Sequence, residues 1–566
     1  MGIPEIEDAG CLLCFGYNGA DSHPIVARRI VRGRQKGMKI ICADPRVTET
    51  ARISDIHLQL KGGSNLALVN AMANVIWKEG LADTKFIEEH TKGFEEFLKV
   101  IEKYTPEYAE PITHIPAETI RKAARMYATT KPAMILYGMG VCQFTQAVDV
   151  VKGLANLALM TGNFGGPAMG IGPVRGQNNV QGACDMGALP NSYPGYQNVT
   201  DPEARAKFEK AWGVSLPGEI GCPITHVPHR ILHEKDEKKR IHAYYIFGED
   251  PAQSDPDLAE VREALDKCDF VVMQDIYMNK TGLYADVILP AAAWGENEGI
   301  YTCADRGFQR VRKLIEPEGD VKPDWQIIAE ISTAMGYPMN YKNTEEIWNE
   351  MIDLCPSFKG ATYEKIEKYG CVQWPCRDKS MEDKGTPYLH KDGIFGTKDH
   401  KALFYGTDWH PPVELENDQY PMTLSTVREV GHYSVRTMTG NCRTLRNLED
   451  EPGWVQMNTG DCERMGLKKG ELVKILSKRG YCITRCLPTD RVEPGATYMT
   501  YQWWIGACNE LTTAKLDPIS NTPEYKYCAC RVEKIEDQEW AERHVMELYD
   551  DIRAQMGIDT GKGAEV

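Results

Sequence analysis

Short apolar runs that end in polar turns mark the first part of the chain. The apolar run 11–15 ends at Gly16 and a polar turn, a mixed stretch follows, and a second apolar run, 39–43, ends at Asp44. Runs of this length between turn signals are typical of buried strands, and the stretch between them is long enough for a helix. The order strand, turn, helix, strand and acid predicts a parallel α/β unit that holds a nucleotide at the carboxyl ends of its strands.

The same pattern returns in the middle of the chain. The sequence FGYNGADSHP, residues 15–24, matches FGEDPAQSDP, residues 247–256, at Phe, Gly, Ala, Ser and Pro. The next apolar run again ends at an aspartate, Asp275, and a threonine and an aspartate follow at the same offsets in both segments. Any two such units share strands and turn residues, but the matched spacing favours an internal duplication in which each half binds one nucleotide. Asp44 and Asp275 would accept hydrogen bonds from the ring N–H and exocyclic amine of a guanine.

Two glycine turns in the first segment predict a close approach of the backbone to a ligand. Gly62 and Gly63 precede an apolar stretch that is typical of a helix, whose first amides would bind phosphate. The alternative is an ordinary helix that Ser64 caps. Gly138 and Gly140 form the second turn, after the apolar run AMILY.

The segment 172–190, GPVRGQNNVQGACDMGALP, fits neither a helical nor a strand period. Its glycines and side-chain amides indicate a backbone wrapped around a polar group. Arg175 is the only fixed charge in the first half, and a guanidinium fits a carboxylate, of which formate is the smallest, at two points. The alternative is an arginine that donates to loop carbonyls.

From about residue 416 the pattern changes to short strands that alternate with turns, which predicts a small β-barrel. The residues 535–566 predict a charged helix followed by a frayed tail. We therefore expect three domains: a first dinucleotide-binding α/β domain at 1–177, a second one with connecting segments at 178–415, and the barrel with its terminal helix at 416–566.

Composition narrows the class of protein. Hydrophobic residues make up 42% and charged residues 26% of the 566 residues, which is typical of a globular protein with a core. No stretch approaches the roughly 20 apolar residues of a membrane helix, and the start shows no signal-peptide pattern, so we expect a cytoplasmic protein without membrane insertion. A formal net charge of -16 argues against nucleic-acid binding, and an acidic protein that handles anions must gather its positive groups locally.

The cysteines and histidines are weak candidates for a metal site. We expect the 18 cysteines to be reduced. Cys11 and Cys14 form a C-x-x-C, but they lie in an apolar run that predicts a buried strand, and no second pair lies nearby. His226, His229 and His233 stand at helical spacing, but a proline lies among them and no carboxylate is evident. A solvated or loop-anchoring cluster is therefore the better interpretation.

Five segments together resemble one family. They are VRGQNNVQGACDMGALP around Arg175, FGYNGADSHP, WGENEGIYTCADRGFQR (294–310), STVREVGHYS (425–434) and TYQWWIGACNE (500–510). All five resemble molybdopterin formate dehydrogenases of the dimethyl-sulfoxide-reductase superfamily, and the similarity runs through essentially the whole chain in the expected order. The resemblance implies an α/β fold with two Rossmann-like parallel units related by internal duplication, followed by a C-terminal double-psi β-barrel.

The resemblance also implies a cofactor, bis-molybdopterin guanine dinucleotide with one molybdenum or tungsten atom. It places Arg175 beside the metal, where it would orient formate, and Gln177 against the pterin. The residues implied to line one dinucleotide are Phe15, Gly16, Asn18, Asp21, Asp44, Arg46, Gly63, Gly138, Gly140 and Gln143. Those implied to line the other are Gly248, Glu249, Gln274, Asp275, Thr281 and Asp286, with Thr426, Arg428, His432 and Ser434 from the C-terminal domain.

The implied reaction is the reversible oxidation of formate to carbon dioxide, with electrons passed through an iron–sulfur relay to an iron–sulfur or flavin subunit. In the family a cysteine or selenocysteine with an adjacent histidine serves the metal, and four cysteines hold a [4Fe–4S] cluster. We expect these residues upstream of Met1 in a segment that this chain lacks, and no metal ligand within the chain. One alternative is an oxyanion reductase of the nitrate type, against which the loop around Arg175 argues. Another is a non-catalytic cofactor-binding fragment.

Overall fold

The computed structural model describes residues 2–446 and 451–558, which form two compact units. The first unit draws on three stretches of the chain, Met1–Val174, Asp250–Arg262 and Tyr388–Val566. The second unit comprises Arg175–Glu249 and Glu263–Pro387. The three-domain division expected from the sequence stays a prediction.

The first unit contains a five-stranded parallel sheet built around the first repeated segment. Its strands lie in the order Ile56–Leu58, Lys39–Ala43, Cys11–Phe15, Ala133–Tyr137 and Gly170–Pro173. The central strand is buried at every position, and its residues alternate between two hydrophobic clusters. Leu12 and Cys14 belong to one cluster and Leu13 and Phe15 to the other. Because alternate side chains of a strand point to opposite faces, the sheet is covered on both, and the buried-strand prediction for Cys14 is confirmed.

The helix Asn65–Lys78 fills one side of this unit because it is apolar around most of its circumference. It packs on the helices Ala117–Thr129 and Ala147–Met160. Ser64 precedes it, but the Ser64 hydroxyl donates to the carbonyl oxygen of Lys61 at 2.6 Å, so the expected side-chain cap is wrong. The other helices before the barrel are Ile3–Asp8 (a 3₁₀ helix), Gly19–Ser22, Pro24–Gln35, Glu49–Arg52, Thr84–His90, Phe94–Ile101, Pro106–Thr113, Met139–Cys142, Pro251–Ser254 and, with residues of both units, Leu258–Lys267. A two-stranded pair joins Thr91–Lys92 to Ala402–Leu403.

A closed six-stranded barrel completes the first unit. Its strands follow one another around the barrel in the order Met422–Val427, Ala496–Thr500, Trp454–Asn458, Gly480–Thr489, Leu472–Ser477 and Cys528–Lys534. The inward residues, among them Val455, Met457, Ile475 and Met499, form one hydrophobic cluster. Its helices are Lys391–Gly393 and Cys508–Glu510 (both 3₁₀), Arg443–Arg446, Thr459–Met465 and Gln538–Gln555. The predicted barrel and charged terminal helix are confirmed, and the predicted tail, 559–566, lies outside the described residues.

The second unit contains a three-stranded parallel sheet from the second repeated segment. Its strands lie in the order Val287–Pro290, Phe270–Asp275 and Ala243–Phe247. An antiparallel sheet of Gly299–Thr302, Gly307–Val311 and Val372–Gln373 and a pair of Ser192–Tyr193 with Gln197–Asn198 accompany it. The helices are Val180–Asp185, Pro202–Trp212, Val227–Leu232, Asp324–Ala334, Thr344–Leu354 and Tyr363–Tyr369, with 3₁₀ turns at Ile224–His226, Thr281–Tyr284 and Trp294–Glu296.

The two repeated segments share a backbone detail that supports their duplication. In the first unit Asp55 exchanges two hydrogen bonds with Ile40: its N–H donates to the Ile40 carbonyl at 2.8 Å, and its Oδ2 accepts from the Ile40 N–H at 2.9 Å. In the second unit Asp286 and Val271 exchange the same two bonds, at 2.8 and 2.7 Å. Each aspartate therefore fixes the start of the strand that precedes it. The predicted role of Asp286 as a cofactor contact stays a prediction.

The described residues can be searched for a membrane-spanning helix and for a cluster of metal ligands. Among the described residues, no helix combines the length and apolar character that crossing a bilayer requires. Within the same residues, no three His, Cys, Asp or Glu side chains are grouped to hold a metal ion, and His229 and His233 make a ring contact with each other. All 18 cysteines are free thiols.

Candidate active site

The carboxyl ends of two adjacent strands in the first unit bring together the turn at Gly16 and the glycine turn at Gly138 and Gly140. Gly16 has a φ of 56°, and a Cβ built on it would lie 2.7 Å from the Cα of Gly140. A Cβ built on Gly138 would lie 2.9 Å from the carbonyl oxygen of Gly16. The two turns touch backbone to backbone, so no larger residue fits at these positions.

The polar turn after Gly16 holds buried polar atoms that suit a ligand. The Oδ1 atom of Asn18 and the hydroxyl oxygen of Tyr17 are buried and have no hydrogen-bond partner among the described residues. Nδ2 of Asn18 donates to Oδ2 of Asp21 at 2.5 Å, and burial raises the pKa of the Asp21 carboxyl. Because buried polar atoms in folded proteins are nearly always hydrogen-bonded, this turn fits the polar groups of a bound cofactor.

Asp44 lies in a buried turn at the end of the neighbouring strand. Its Oδ1 accepts a hydrogen bond from the backbone N–H of Arg46 at 2.9 Å, and its carbonyl oxygen lies 2.9 Å from Nε2 of His57. Nη1 of Arg46 donates to Oε1 of Gln456 at 3.1 Å, and the guanidinium lies over the ring of Tyr498. Burial raises the pKa of Asp44, although Arg46 opposes that change. The aspartate thus stands at the strand end where the sequence predicted guanine recognition.

The barrel adds a buried cation that the sequence patterns did not single out. Nζ of Lys526 donates to the carbonyl oxygen and to Oγ1 of Thr426, at 2.5 and 3.0 Å. Its backbone N–H donates to the carbonyl oxygen of Gln143 at 3.2 Å. Burial, and then the positive charges of Arg428 and Arg46, lower the pKa of Lys526 to about 7. Lys526 is therefore only partly charged near neutral pH and lies close to the fixed charges of Arg46 and Arg428.

Arg428 lies against the second glycine turn of the first segment. Its Nη2 is 3.8 Å from the Sδ of Met139, and its guanidinium lies 5.6 Å from the ring centroid of Tyr501. The resemblance grouped Thr426 and Arg428 with the second dinucleotide. Here Arg428 contacts Met139, between the predicted Gly138 and Gly140, and Thr426 contacts Lys526, whose N–H donates to Gln143. Which dinucleotide they contact stays a prediction.

His432 presents a neutral ring with one open nitrogen. Its Nδ1 lies 3.0 Å from Oγ1 of Thr439, and its Nε2 is buried with no partner in the part of the chain that the structure describes. Burial, and then the charge of Arg436, lowers the pKa of His432 to about 4, so the ring is uncharged at neutral pH. Ser434 follows in a left-handed conformation, with a φ of 47°. His432 therefore fits a hydrogen-bonding group of a cofactor.

The backbone conformation of Gly63 and its contact with Pro412 both require a glycine at this position. It has a φ of 80°, and a Cβ at this position would lie 2.2 Å from the Cγ of Pro412. Nε1 of Trp409 donates to the carbonyl oxygen of Gly63 at 2.8 Å. The segment that leads to the barrel thus explains this glycine, and its contact with a cofactor stays a prediction.

In the second unit Asp275 makes a turn that corresponds to that of Asp44. Its Oδ1 accepts from the backbone N–H groups of Ile276 and Tyr277, at 2.6 and 3.4 Å. Tyr277 stands two residues after its aspartate, as Arg46 does in the first unit. The duplication therefore extends to the side chains predicted to recognise guanine.

The other predicted residues of the second segment surround the same strand end. Gly248 has a φ of 67°, and its N–H donates to the carbonyl oxygen of Gln274 at 2.9 Å. Nε2 of Gln274 donates to Oδ1 of Asp324 at 2.5 Å. Burial raises the pKa of Glu249, and Thr281 is fully buried at the start of its 3₁₀ turn.

Arg175 also lies in the second unit, on the irregular loop before the short helix Val180–Asp185. It is half-buried, and its Nη1 lies 3.2 Å from the Sγ of Cys184. Gln177 is exposed on the same loop. The prediction that 172–190 is neither helix nor strand holds for 174–179. It is wrong for the end of the strand Gly170–Pro173 and for the helix Val180–Asp185, because contacts with the rest of the chain order these residues.

Two parallel sheets with nucleotide-type turns at their strand ends, and a closed barrel, are the elements expected of a protein that binds dinucleotide cofactors. The family model of molybdopterin oxidoreductase matches residues 2–334, and that of the molydopterin dinucleotide binding domain matches residues 422–529. The chain belongs to the molybdopterin oxidoreductase family.

Similar proteins include two named as formate dehydrogenases. The chain is 56% identical over 555 residues to formate dehydrogenase H of Escherichia coli, an alignment that covers 98% of this chain and 77% of that protein. It is 42% identical to the F420-dependent formate dehydrogenase subunit alpha of Methanocaldococcus jannaschii, over 94% of this chain and 78% of that protein. The solved structure of acetylene hydratase from Pelobacter acetylenicus superposes with a TM-score of 0.77 at 20% identity, covering 94% of this chain and 81% of that one, which shows the fold.

Proposed function

We propose that this protein oxidises formate to carbon dioxide, reversibly, as the catalytic subunit of a molybdopterin enzyme. The observation that carries the proposal is the 56% identity, over 98% of the chain, to a protein named formate dehydrogenase H. The half-buried guanidinium of Arg175 adds a chemical reason, since a planar fork of N–H donors matches the two oxygens of a carboxylate.

Two guanine dinucleotides of the cofactor would be held at the strand ends of the two repeated segments. In the first unit Asp44 would accept from the guanine edge, and the neighbouring cations Arg46, Arg428 and Lys526 would neutralise phosphate charge. In the second unit Asp275 would take the corresponding role. The unpartnered Oδ1 of Asn18 and the Nε2 of His432 would hydrogen-bond with polar groups of the cofactor.

The reaction takes two electrons from formate and releases its hydrogen as one proton, leaving carbon dioxide. The bound molybdenum or tungsten centre would supply the two-electron acceptor. Arg175 would hold both carboxylate oxygens of formate, so that the C–H bond alone is directed at the acceptor. The same guanidinium would compensate the negative charge of the substrate in a site shielded from water.

Electron transfer away from the site would need partners beyond these residues. We propose that an iron–sulfur relay beginning at a [4Fe–4S] cluster receives the electrons one at a time and passes them to an iron–sulfur or flavin subunit. We expect this chain to bind the dinucleotides, and turnover to need a metal-ligating cysteine or selenocysteine with its histidine in addition to the electron relay.

Substrate choice is tested with the assembled enzyme purified anoxically from its native source. We expect formate-dependent reduction of a viologen dye and no nitrate-dependent oxidation of the reduced dye. Arg175→Ala should lower formate oxidation by about a hundredfold or more, because the substrate loses its orienting contact, while metal and guanine content stay unchanged. Nitrate turnover without formate turnover would contradict the proposal.

A matched arginine in the same unit provides the control. Arg310 is also partly buried, and its guanidinium lies 3.9 Å from the ring centroid of Tyr363. Arg310→Lys should leave formate oxidation close to that of the unmodified enzyme. Arg175→Lys should remain impaired because an ammonium cannot replace the two-point contact. Equal losses in the two lysine variants would mean that Arg175 has only a structural role.

A further inference from the structure

We propose that Asp185 is a positioning residue: it clamps the short helix that follows the Arg175 loop and thereby holds the guanidinium where formate would bind. The inference rests on the proposed function for its consequence in catalysis, but its structural part stands on contacts within the second unit. Asp185 lies in the segment 172–190, but the sequence patterns gave this residue no role.

The Asp185 carboxylate is fully buried and accepts three side-chain hydrogen bonds. Its Oδ1 accepts from Nε2 of Gln181 at 2.7 Å and from the hydroxyl of Tyr196 at 2.9 Å. Its Oδ2 accepts from Nε1 of Trp374 at 2.8 Å. Its backbone carbonyl also accepts from the N–H of Gly195 at 2.7 Å. One residue therefore joins the helix to two other parts of the unit.

The Asp185 side chain meets hydrogen-bond donors at both of its oxygens. Burial raises the pKa of Asp185 above its ordinary value, and the three donors and the charge of Arg175 reduce that rise without reversing it. Tyr196 and the indole of Trp374 both present N–H or O–H groups, so a carboxylate with acceptor sites only satisfies them all. An asparagine would direct an N–H₂ group at one of those donors and leave buried groups unpaired.

The clamp matters because the helix Val180–Asp185 is too short to be stable by itself. Its other end is tied where Oδ1 of Asn179 accepts from the backbone N–H of Thr302 at 2.9 Å. Arg175 contacts this helix through the Sγ of Cys184, the residue next to Asp185. A helix fixed at both ends thus offers the guanidinium a fixed neighbour, and loosening one end would displace both.

The same unit contains a matched carboxylate outside this network. Oε1 of Glu350 accepts from Nε1 of Trp212 at 3.0 Å, and its Oε2 accepts from the hydroxyl of Tyr341 at 2.8 Å. Glu350 therefore accepts hydrogen bonds from one tryptophan and one tyrosine, as Asp185 also does. Glu350→Gln serves as the control for any general loss of stability.

The first test needs no turnover: the rate at which iodoacetamide alkylates Cys184, followed by peptide mass spectrometry on the native enzyme. Asp185→Asn should raise that rate several-fold relative to the exposed Cys442, because the contact with Arg175 loosens. Glu350→Gln should leave it unchanged. Equal rates in the unmodified enzyme, Asp185→Asn and Glu350→Gln would overturn the clamp.

The second test separates positioning from simple destabilisation. Asp185→Asn should raise the KM for formate by about ten- to a hundredfold with metal and guanine content retained. Trp374→Phe, which removes one of the three donors, should give a smaller rise. If the enzyme shows no formate oxidation at all, the proposed function fails while the alkylation result still stands. If formate is oxidised and Asp185→Asn has the KM of Glu350→Gln, the inference is wrong.

Discussion

Phe15 and Phe247 stand at equivalent positions in the two repeated segments, each at the end of a parallel strand before a left-handed glycine. Phe15 is fully buried, whereas Phe247 is 51% exposed. The difference extends through the sheets, since the second one also exposes Phe270 and Ile288, at 45% and 43%. The strands have the same local pattern and the same direction, but their surroundings differ.

The repeated sequence specifies the local turns and hydrogen bonds, whereas the burial of each sheet depends on the elements packed against it. The turns at Asp44 and Asp275 and the reciprocal bonds at Asp55 and Asp286 are local, and both copies keep them. Burial depends on other elements, and in the first unit the helices between residues 65 and 160 supply an apolar layer. Parallel sheets are normally covered on both faces, so the burial of the first sheet is typical and the exposure of the second is unusual.

The largest expected difference in the free energy of unfolding is between the alanine variants of Phe15 and Phe247. Phe15→Ala should lower the free energy of unfolding by about 3–5 kcal/mol, because it leaves a cavity in a close-packed core. Phe247→Ala should change it by less than about 1 kcal/mol, since half of that ring is already in water. Denaturant unfolding of the two variants beside the unmodified chain measures both values. Similar losses in the two variants would show that the second sheet is as well covered as the first.

A smaller loss in the free energy of unfolding is expected when Asp55 or Asp286 is replaced. Burial raises the pKa of Asp55, but the hydrogen bonds from Ile40 and Arg34 outweigh it, so the folded pKa lies below the ordinary value. Asp55→Asn should cost about 1–2 kcal/mol at neutral pH, and Asp286→Asn about 1 kcal/mol for its backbone bond.

The pH dependence of Asp55 sharpens that comparison. A carboxyl whose folded pKa is lowered stabilises the protein above its unfolded pKa, near 4, and loses that contribution as the pH falls through the folded pKa. The stability gap between the unmodified chain and Asp55→Asn should therefore narrow below about pH 4. A gap that stays constant with pH would contradict an ionised, hydrogen-bonded Asp55.

Much of the fold followed from the sequence because its signals are local. Apolar runs, glycine turns and the repeated offsets from Asp44 and Asp275 predicted both parallel sheets, and alternating strands predicted the barrel. Lys526 and Asp185 could not be found this way. Each is a single charged residue whose partners, Gln143 for Lys526 and Trp374 for Asp185, are far away in the chain.

Sequence patterns also assigned some residues a role without showing the contact that constrains them. Gly63 was expected at a cofactor, but the ring of Pro412 already explains why a glycine stands there. Thr426 was grouped with the second segment, yet Lys526 links it to Gln143 of the first. A resemblance to a family predicts which residues are functional, whereas the residues that they contact become visible only in the structure.

The central claim is that the two repeated segments hold two equivalent guanine nucleotides. It is tested most directly by counting the guanine nucleotide released by acid hydrolysis of the assembled enzyme, per chain. We predict two, with Asp44→Ala and Asp275→Ala each reducing the count to one, because each aspartate would accept from its own guanine. A single nucleotide in the unmodified enzyme, or two in both variants, would contradict the account.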